Sequence, residues 1–368
     1  MKQPFSPTDP KQYRGVFMFS DKTVYKLHRI SGLVGGLFIL IITITGSILV
    51  VDRQVDNLLN PSQTQIEPTG QLAPYGQVLT TIHRQFPDAQ IRGIRLPETE
   101  NEALRVDISN KGVWQWVTMN PYTGAIISIR NAETTFVRRA RELHENLLLE
   151  PVGGYVMGLA GICLLGSVLT GTWYYRRSLL SVFKIGVRWN KPARIVYADI
   201  HKWLGVVALL FMLLMSATGI FFHWEQIERQ FGGDKRPSQS LWADLPYRTI
   251  PVDNALANAT ASIAEFQPRQ IDFPKSGDTT LVIRGNRPNS IRLLGKYTIF
   301  ATMDARNGQY ISGLDAQDAG LEYIAEHVFE ELHFGRYLGW VSQVIYILLA
   351  LSTAVVTLTG MFIWWLKK

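Results

Sequence analysis

The chain has 368 residues, room for two ordinary domains, with an apolar share of 47% and a formal net charge of +7. Its single cysteine, Cys163, excludes an intramolecular disulfide, a thiolate zinc site and a CxxCH haem attachment. The positive charge does not mark a nucleic-acid binder, because it gathers in short segments that flank long uncharged runs.

Residues 1–24 are polar, with Pro4, Pro7 and Pro10, and read as a cytoplasmic tail. Uncharged runs at 30–51, 151–175, 203–224 and 337–366 are each long enough to cross a bilayer. They predict transmembrane helices over 25–51, 151–175, 197–224 and 335–366. No small-residue cleavage site follows the first span, where Val50-Val51-Asp52-Arg53 stands, so it reads as a retained signal anchor. Lys and Arg crowd the approach to span one, the loop 176–196 and Lys367-Lys368. The positive-inside rule makes that side cytoplasmic, with both termini inside and both long connections outside.

The first connection, 52–131, reads as a small α+β module: helical spacing at Val78, Ile82 and Phe86, then the alternating runs IRGIRL, ALRVDIS and VWQWVTM. The turn Asn120-Pro121-Tyr122-Thr123-Gly124 leads into AIISI. Residues 132–150 predict an amphipathic helix at the outer membrane surface, carrying His144 and the arginines Arg138, Arg139 and Arg141. That arginine cluster would attract an anionic acceptor or lipid headgroups. The second connection, 225–317, is a weaker, degenerate echo of the first, with Asp304-Ala305-Arg306-Asn307-Gly308 as a degenerate turn in the place of the first. A second surface helix, 318–334, carries His333.

The module's helix, its strands and the N-P-Y-T-G turn resemble the PepSY domain, and spans on both sides make the chain similar to PepSY-associated transmembrane proteins. That family includes iron–siderophore reductases of the ferrioxamine-reductase type. The resemblance implies a four-span, two-haem protein of the bacterial inner membrane, with its soluble modules in the periplasm. It implies a haem-dependent oxidoreductase that passes electrons to a periplasmic ferric siderophore and releases Fe(II).

The residues carry a reading of their own. His28 and His201, Gly32 and Gly205, and Gly46 and Gly219 all stand 173 apart. His144 and His333, Thr170 and Thr359, and Gly171 and Gly360 all stand 189 apart. Matched offsets predict a parallel internal duplication and a four-helix transmembrane bundle with two PepSY-like modules. Each half crosses twice, so His28 and His201 would meet at the cytoplasmic face, and His144 and His333 at the outer face. Two histidine pairs suit the axial ligands of two b-type haems. Two other readings stay open. In one, the histidines cap helices in a non-enzymatic scaffold or sensor. In the other, the chain is a transporter or zinc protein, although no carboxylate lies within the uncharged runs and no HExxH occurs. A haem relay to another periplasmic acceptor is a variant of the first reading. His223 is an alternative outer ligand, whereas His83 and His327 lack matched counterparts. No nucleotide-binding fingerprint appears, so electrons would come from a separate donor, a soluble reductase or a quinol.

Overall fold

The structure is a computed structural model describing residues 20–231, 249–274 and 278–366; most of the expected tail and the stretch 232–248 lie outside the described residues. Helix α1 (Asp21–Leu49) opens where Ser20 accepts a hydrogen bond from the Thr23 amide, with Asp21 in the first turn. Two short helices follow, α2 (Asp52–Leu59) and α3 (Pro61–Thr64). Then come α4 (Tyr75–Gln85), the strands β1 (Gln90–Arg95), β2 (Leu104–Asn110), β3 (Val113–Met119) and β4 (Ile126–Asn131), and α5 (Phe136–Asn146). The return span is α6 (Val152–Tyr175), followed by α7 (Ser181–Ile185). The second passage runs through α8 (Ala193–Val207) and α9 (Leu209–Phe231) to α10 (Val252–Ser262). Strands β5 (Gln267–Asp272), β6 (Thr280–Asn286), β7 (Ile299–Asp304) and β8 (Tyr310–Asp315) lead to α11 (Leu321–Phe334) and the last span, α12 (Trp340–Trp365).

Helices α1, α6 and α12 are each long and apolar enough to span a bilayer, and α8 with α9 passes the same test as a bent pair, so this is a multi-pass membrane protein. Only 28%, 28% and 33% of the apolar windows of α1, α6 and α12 are buried, and exposed apolar side chains such as Val34, Leu37, Leu159, Ile162, Leu348 and Leu351 give each helix an outward apolar face suited to lipid. Packing closes a ring: α1 lies against α6 and α12, α6 against α9, and α12 against α8 and α9.

The expected uninterrupted helix over 197–224 is not met. The chain breaks at Ala208 and bends by 66°. Ala208 is fully buried among Val168 and Met212. Its amide still reaches the Leu204 carbonyl at 2.8 Å, and its own carbonyl accepts the Met212 amide at 2.8 Å. Ala208 itself therefore keeps both of its backbone partners through the bend. No proline announces it.

The two soluble modules, expected as separate units, share one antiparallel sheet in the order β4-β3-β2-β1-β5-β6-β7-β8. The halves meet where β1 pairs with β5, Ile94 opposite Ile271. Gly93 belongs to that seam, since a Cβ there would stand 2.9 Å from the Ile271 carbonyl oxygen. Burial follows the period of two in β2, β6 and β7. Leu104, Val106 and Ile108 point into the same core as Leu281 and Ile283, under α4 and α10. The core is continuous across the seam. Asp253 of α10 accepts the Tyr75 and Gly76 amides at the start of α4, at 2.8 and 2.9 Å, so each half caps or packs the other. The two turns expected to differ close alike. Gly124 N bonds the Asn120 carbonyl and Gly308 N bonds the Asp304 carbonyl, with φ of 68° and 71°.

Candidate functional site

At the end of the bundle far from the sheet, His28 on α1 and His201 on α8 face each other with ring centroids 6.1 Å apart and planes at 78°. His28 Nδ1 lies 2.9 Å from the Ser167 carbonyl of α6, and His201 Nδ1 lies 2.8 Å from the Val356 carbonyl of α12. A carbonyl only accepts, so both rings carry their proton on Nδ1 and leave the Nε2 lone pair free. A cavity of about 250 Å³ adjoins this pair, lined by Gly32, Gly171, Gly205 and Gly360 among others. A Cβ on Gly205 would meet nothing within 4 Å, so there is open space beside His201. Arg29, Arg194 and Lys202 line the same cavity and bring positive charge to it.

At the sheet end, His144 on α5 and His333 on α11 face each other at 6.3 Å and 69°. His144 Nδ1 reaches the Ile42 carbonyl at 3.1 Å and the Thr45 hydroxyl at 3.0 Å. His333 Nδ1 reaches the Thr218 hydroxyl at 2.8 Å. Both hydroxyls already donate backward along their own helices, Thr45 to Ile41 and Thr218 to Leu214, so they accept from the imidazoles. The Nδ1–H tautomer again leaves Nε2 bare. Burial, and next the facing His333, push the His144 pKa down to about 3, and burial with His223 pushes His333 to about 4. Both are neutral imidazoles at pH 7.

This arrangement fits haem better than a bare ion. Two metal–imidazole bonds of about 2.0 Å, with the radii of two rings behind them, span roughly 6 Å. Among the described residues no group of three or more His, Cys, Asp or Glu is placed to hold a metal ion. Two imidazoles leave zinc two ligands short, whereas a porphyrin brings four nitrogens of its own and asks the protein only for axial partners. Anchoring each Nδ1–H on a fixed acceptor also orients the ring and raises the basicity of the ligating nitrogen. His28 and His201 would hold one haem, and His144 and His333 the other.

A feature of the sequence that residue offsets alone did not join to the histidines is a Thr-Gly step in every span. His28 packs over Gly171, His144 over Gly46, His201 over Gly360 and His333 over Gly219; a Cβ on these glycines would stand 3.0, 3.1, 3.1 and 3.8 Å from the ring. The preceding threonines are Thr170, Thr45, Thr359 and Thr218. His223 does not take part in either facing pair. It lies against Gly158 of α6, near enough to influence both His144 and His333. The arginines of α5 are not free to attract an anion, since Arg138 and Arg139 pair with Glu142, and Arg141 pairs with Asp52 and Glu145. His327 stacks on Tyr323 within α11, and His83 sits in α4, both away from the pairs.

The model of one family, the PepSY-associated TM region, matches residues 25–367, and the chain belongs to that family. No curated protein matches closely enough to carry the assignment further.

Proposed function

We propose that this member of the PepSY-associated transmembrane family is a di-haem electron carrier that reduces a ferric siderophore outside the bacterial inner membrane. The observation behind this reading is the repeated construction: facing imidazoles at 6.1 and 6.3 Å, each anchored through Nδ1, one pair at either end of the bundle. The common offsets and the four Thr-Gly steps support a parallel duplication, with both halves contributing one ligand to each pair. The Lys and Arg excess around 176–202 supports a cytoplasmic His28–His201 end and a periplasmic sheet.

Bound haem would supply one-electron redox chemistry that no side chain in these positions offers. The chain's own residues fix ring position, set ligand basicity through the Nδ1 acceptors, and keep the sites largely dry. The acceptor would be Fe(III) in a hard-oxygen chelate. One electron from a separate quinol or soluble reductase converts it to Fe(II), which such donors hold far less well. No acid–base residue is required.

The test is spectroscopic. Detergent-purified protein should carry two b-type haems per chain, extractable without breaking a thioether. After chemical reduction it should be reoxidised by a ferric siderophore, with Fe(II) appearing in a ferrous-specific chelator. A folded preparation whose histidine pairs bind no haem would end this reading. A reduced haem protein indifferent to every ferric chelate would leave a different periplasmic acceptor.

A further inference from the structure

The sheet has a second face, turned away from α4 and α10, and its first half is lined by alternating arginine and tryptophan. The Arg105 guanidinium lies 4.3 Å from the centre of the Trp116 ring, and Arg130 approaches the same ring at 5.6 Å. Between this face and helices α2 and α5 is a cavity of about 100 Å³. Water's share of liquid volume is about 30 Å³, so the space holds a few waters or one carboxylate-sized group. Four arginines line it, Arg53, Arg95, Arg105 and Arg130, against three carboxylates, Asp52, Asp56 and Glu102.

The carboxylates are already engaged. Asp56 takes Arg130 in a two-pronged contact at 2.7 and 2.9 Å, Glu102 takes Arg53, and Asp52 takes Arg141 from α5. Arg105 has Asp107 beside it at 3.3 Å. Arg95 pairs with no carboxylate among the described residues. Its Nε and the Trp116 indole N–H are buried without an acceptor, an uncommon condition for a native donor. Burial also pulls the Arg105 pKa down; Asp107 opposes that shift and neighbouring Arg95 adds to it. Arg95 is the lining arginine left without a carboxylate, and donors are in surplus beside it.

We propose that this cavity is an anion site that takes one carboxylate group of a small polyanionic ligand, with Arg95 as its main charge partner and Arg105 and Trp116 as its walls. Guanidinium forks match a carboxylate in plane, and the added charge would complete the ion-pair network. The site does not depend on the haem reading. Its position bears on it nonetheless: Val137 of α5 lines the cavity, and seven residues of helix at 1.5 Å per residue put it about 10 Å from His144. A ligand that is itself an iron chelate would thus be held close to the sheet-side pair.

The full chain in detergent can be titrated with citrate, and with its gallium(III) complex, which takes no electron under these conditions. Calorimetry and thermal unfolding then report binding without any redox step. We expect saturable binding to at least one form that Arg95→Gln weakens tenfold or more. Arg105→Lys, which keeps the charge beside Asp107 but loses the fork, should weaken it several-fold. Arg139→Gln, on the exposed side of α5, should bind like the parent. Preference for free citrate over the gallium complex would identify a carboxylate metabolite, and the reverse a metal chelate; either supports the site. No binding to either form, or binding unchanged in a folded Arg95→Gln protein, overturns it.

Discussion

The two histidine pairs reach nearly the same ring geometry by different constructions. At the far end, the imidazoles sit on the passage helices themselves, His28 on α1 and His201 on α8, and rest mainly on backbone carbonyls, with the Thr359 hydroxyl at a longer 3.4 Å from His201. At the sheet end, His144 and His333 ride on short helices outside the spans, and hydroxyls of Thr45 and Thr218 share in holding them. Those short helices stop at residues in the left-handed conformation, Leu147 and Gly335, which turn the chain back toward the membrane. One pair is therefore as rigid as the bundle. The other depends on how α5 and α11 dock, which makes it the adjustable end and the one that side-chain chemistry can tune.

The largest effect should come from removing a ligand. His28→Ala or His201→Ala should delete the far haem and His144→Ala or His333→Ala the sheet-side haem, each halving haem per chain in a pyridine haemochrome assay. Loss of both haems from a folded His144→Ala protein would show that the pairs are not independent. A second test adds a methyl group under the ring. Gly171→Ala and Gly46→Ala put a Cβ 3.0 and 3.1 Å from ring carbons of His28 and His144, whereas Gly219→Ala meets His333 at an ordinary 3.8 Å. Overpacking of this kind costs about 1–3 kcal/mol. The first two variants should disturb the low-spin spectrum and lower the melting temperature, and the third should leave both nearly unchanged.

Tuning comes next. Thr218→Val removes the hydroxyl that holds His333, while Thr45→Val leaves His144 its bond to the Ile42 carbonyl. A lost hydrogen bond of about 1 kcal/mol corresponds to roughly 40 mV for a one-electron couple. Thr218→Val should move the sheet-side midpoint potential by that order and Thr45→Val by less, as read by spectroelectrochemistry, with the far haem unmoved. The smallest effect concerns the sheet. Burial raises the Glu98 pKa, but Lys296 from the other half and Arg53 outweigh it and bring it down from 4.5 to about 2. The folded value lies below the unfolded one, so the contribution is present above pH 4.5 and is lost as pH falls toward 2. Being partly exposed, the cluster is worth about 1 kcal/mol or less. Lys296→Met should lower stability slightly at pH 6, and the difference should vanish near pH 2 in acid-unfolding curves.

Periodicity made much of this legible in the sequence. Charge-free runs marked the spans, and alternation marked β1 to β4 nearly to the residue, because both signals are local. The break at Ala208 was not visible, since no proline or glycine stands at the position itself and its burial against Val168 of α6 is a tertiary contact that leaves no local pattern. The β1–β5 seam was also hidden. Pairing between strands so far apart in sequence leaves no local mark beyond a glycine, Gly93, inside a strand. The Thr-Gly steps stood in plain view at four places, but only the packing of helices shows which histidine lies over which step. Arg138, Arg139 and Arg141 drew attention as a run. Helical spacing supplied Glu142 and Glu145 to neutralise them, while Arg95, hidden by strand alternation, has no carboxylate partner among the described residues.

The seam between β1 and β5 has a consequence for how the molecule is made. When β1 emerges, its partner is still unsynthesised, and α6, α8 and α9 must all be threaded through the bilayer before β5 can arrive. Until then the first four strands present an unpaired edge carrying Ile91 and Ile94, the kind of edge on which chains pair wrongly with one another. Closing it is a long-range event that must follow insertion of the third passage. The sheet thus serves as a checkpoint on assembly: a chain that stalls between its two sets of four strands exposes a sticky strand, and pairing with β5 covers it.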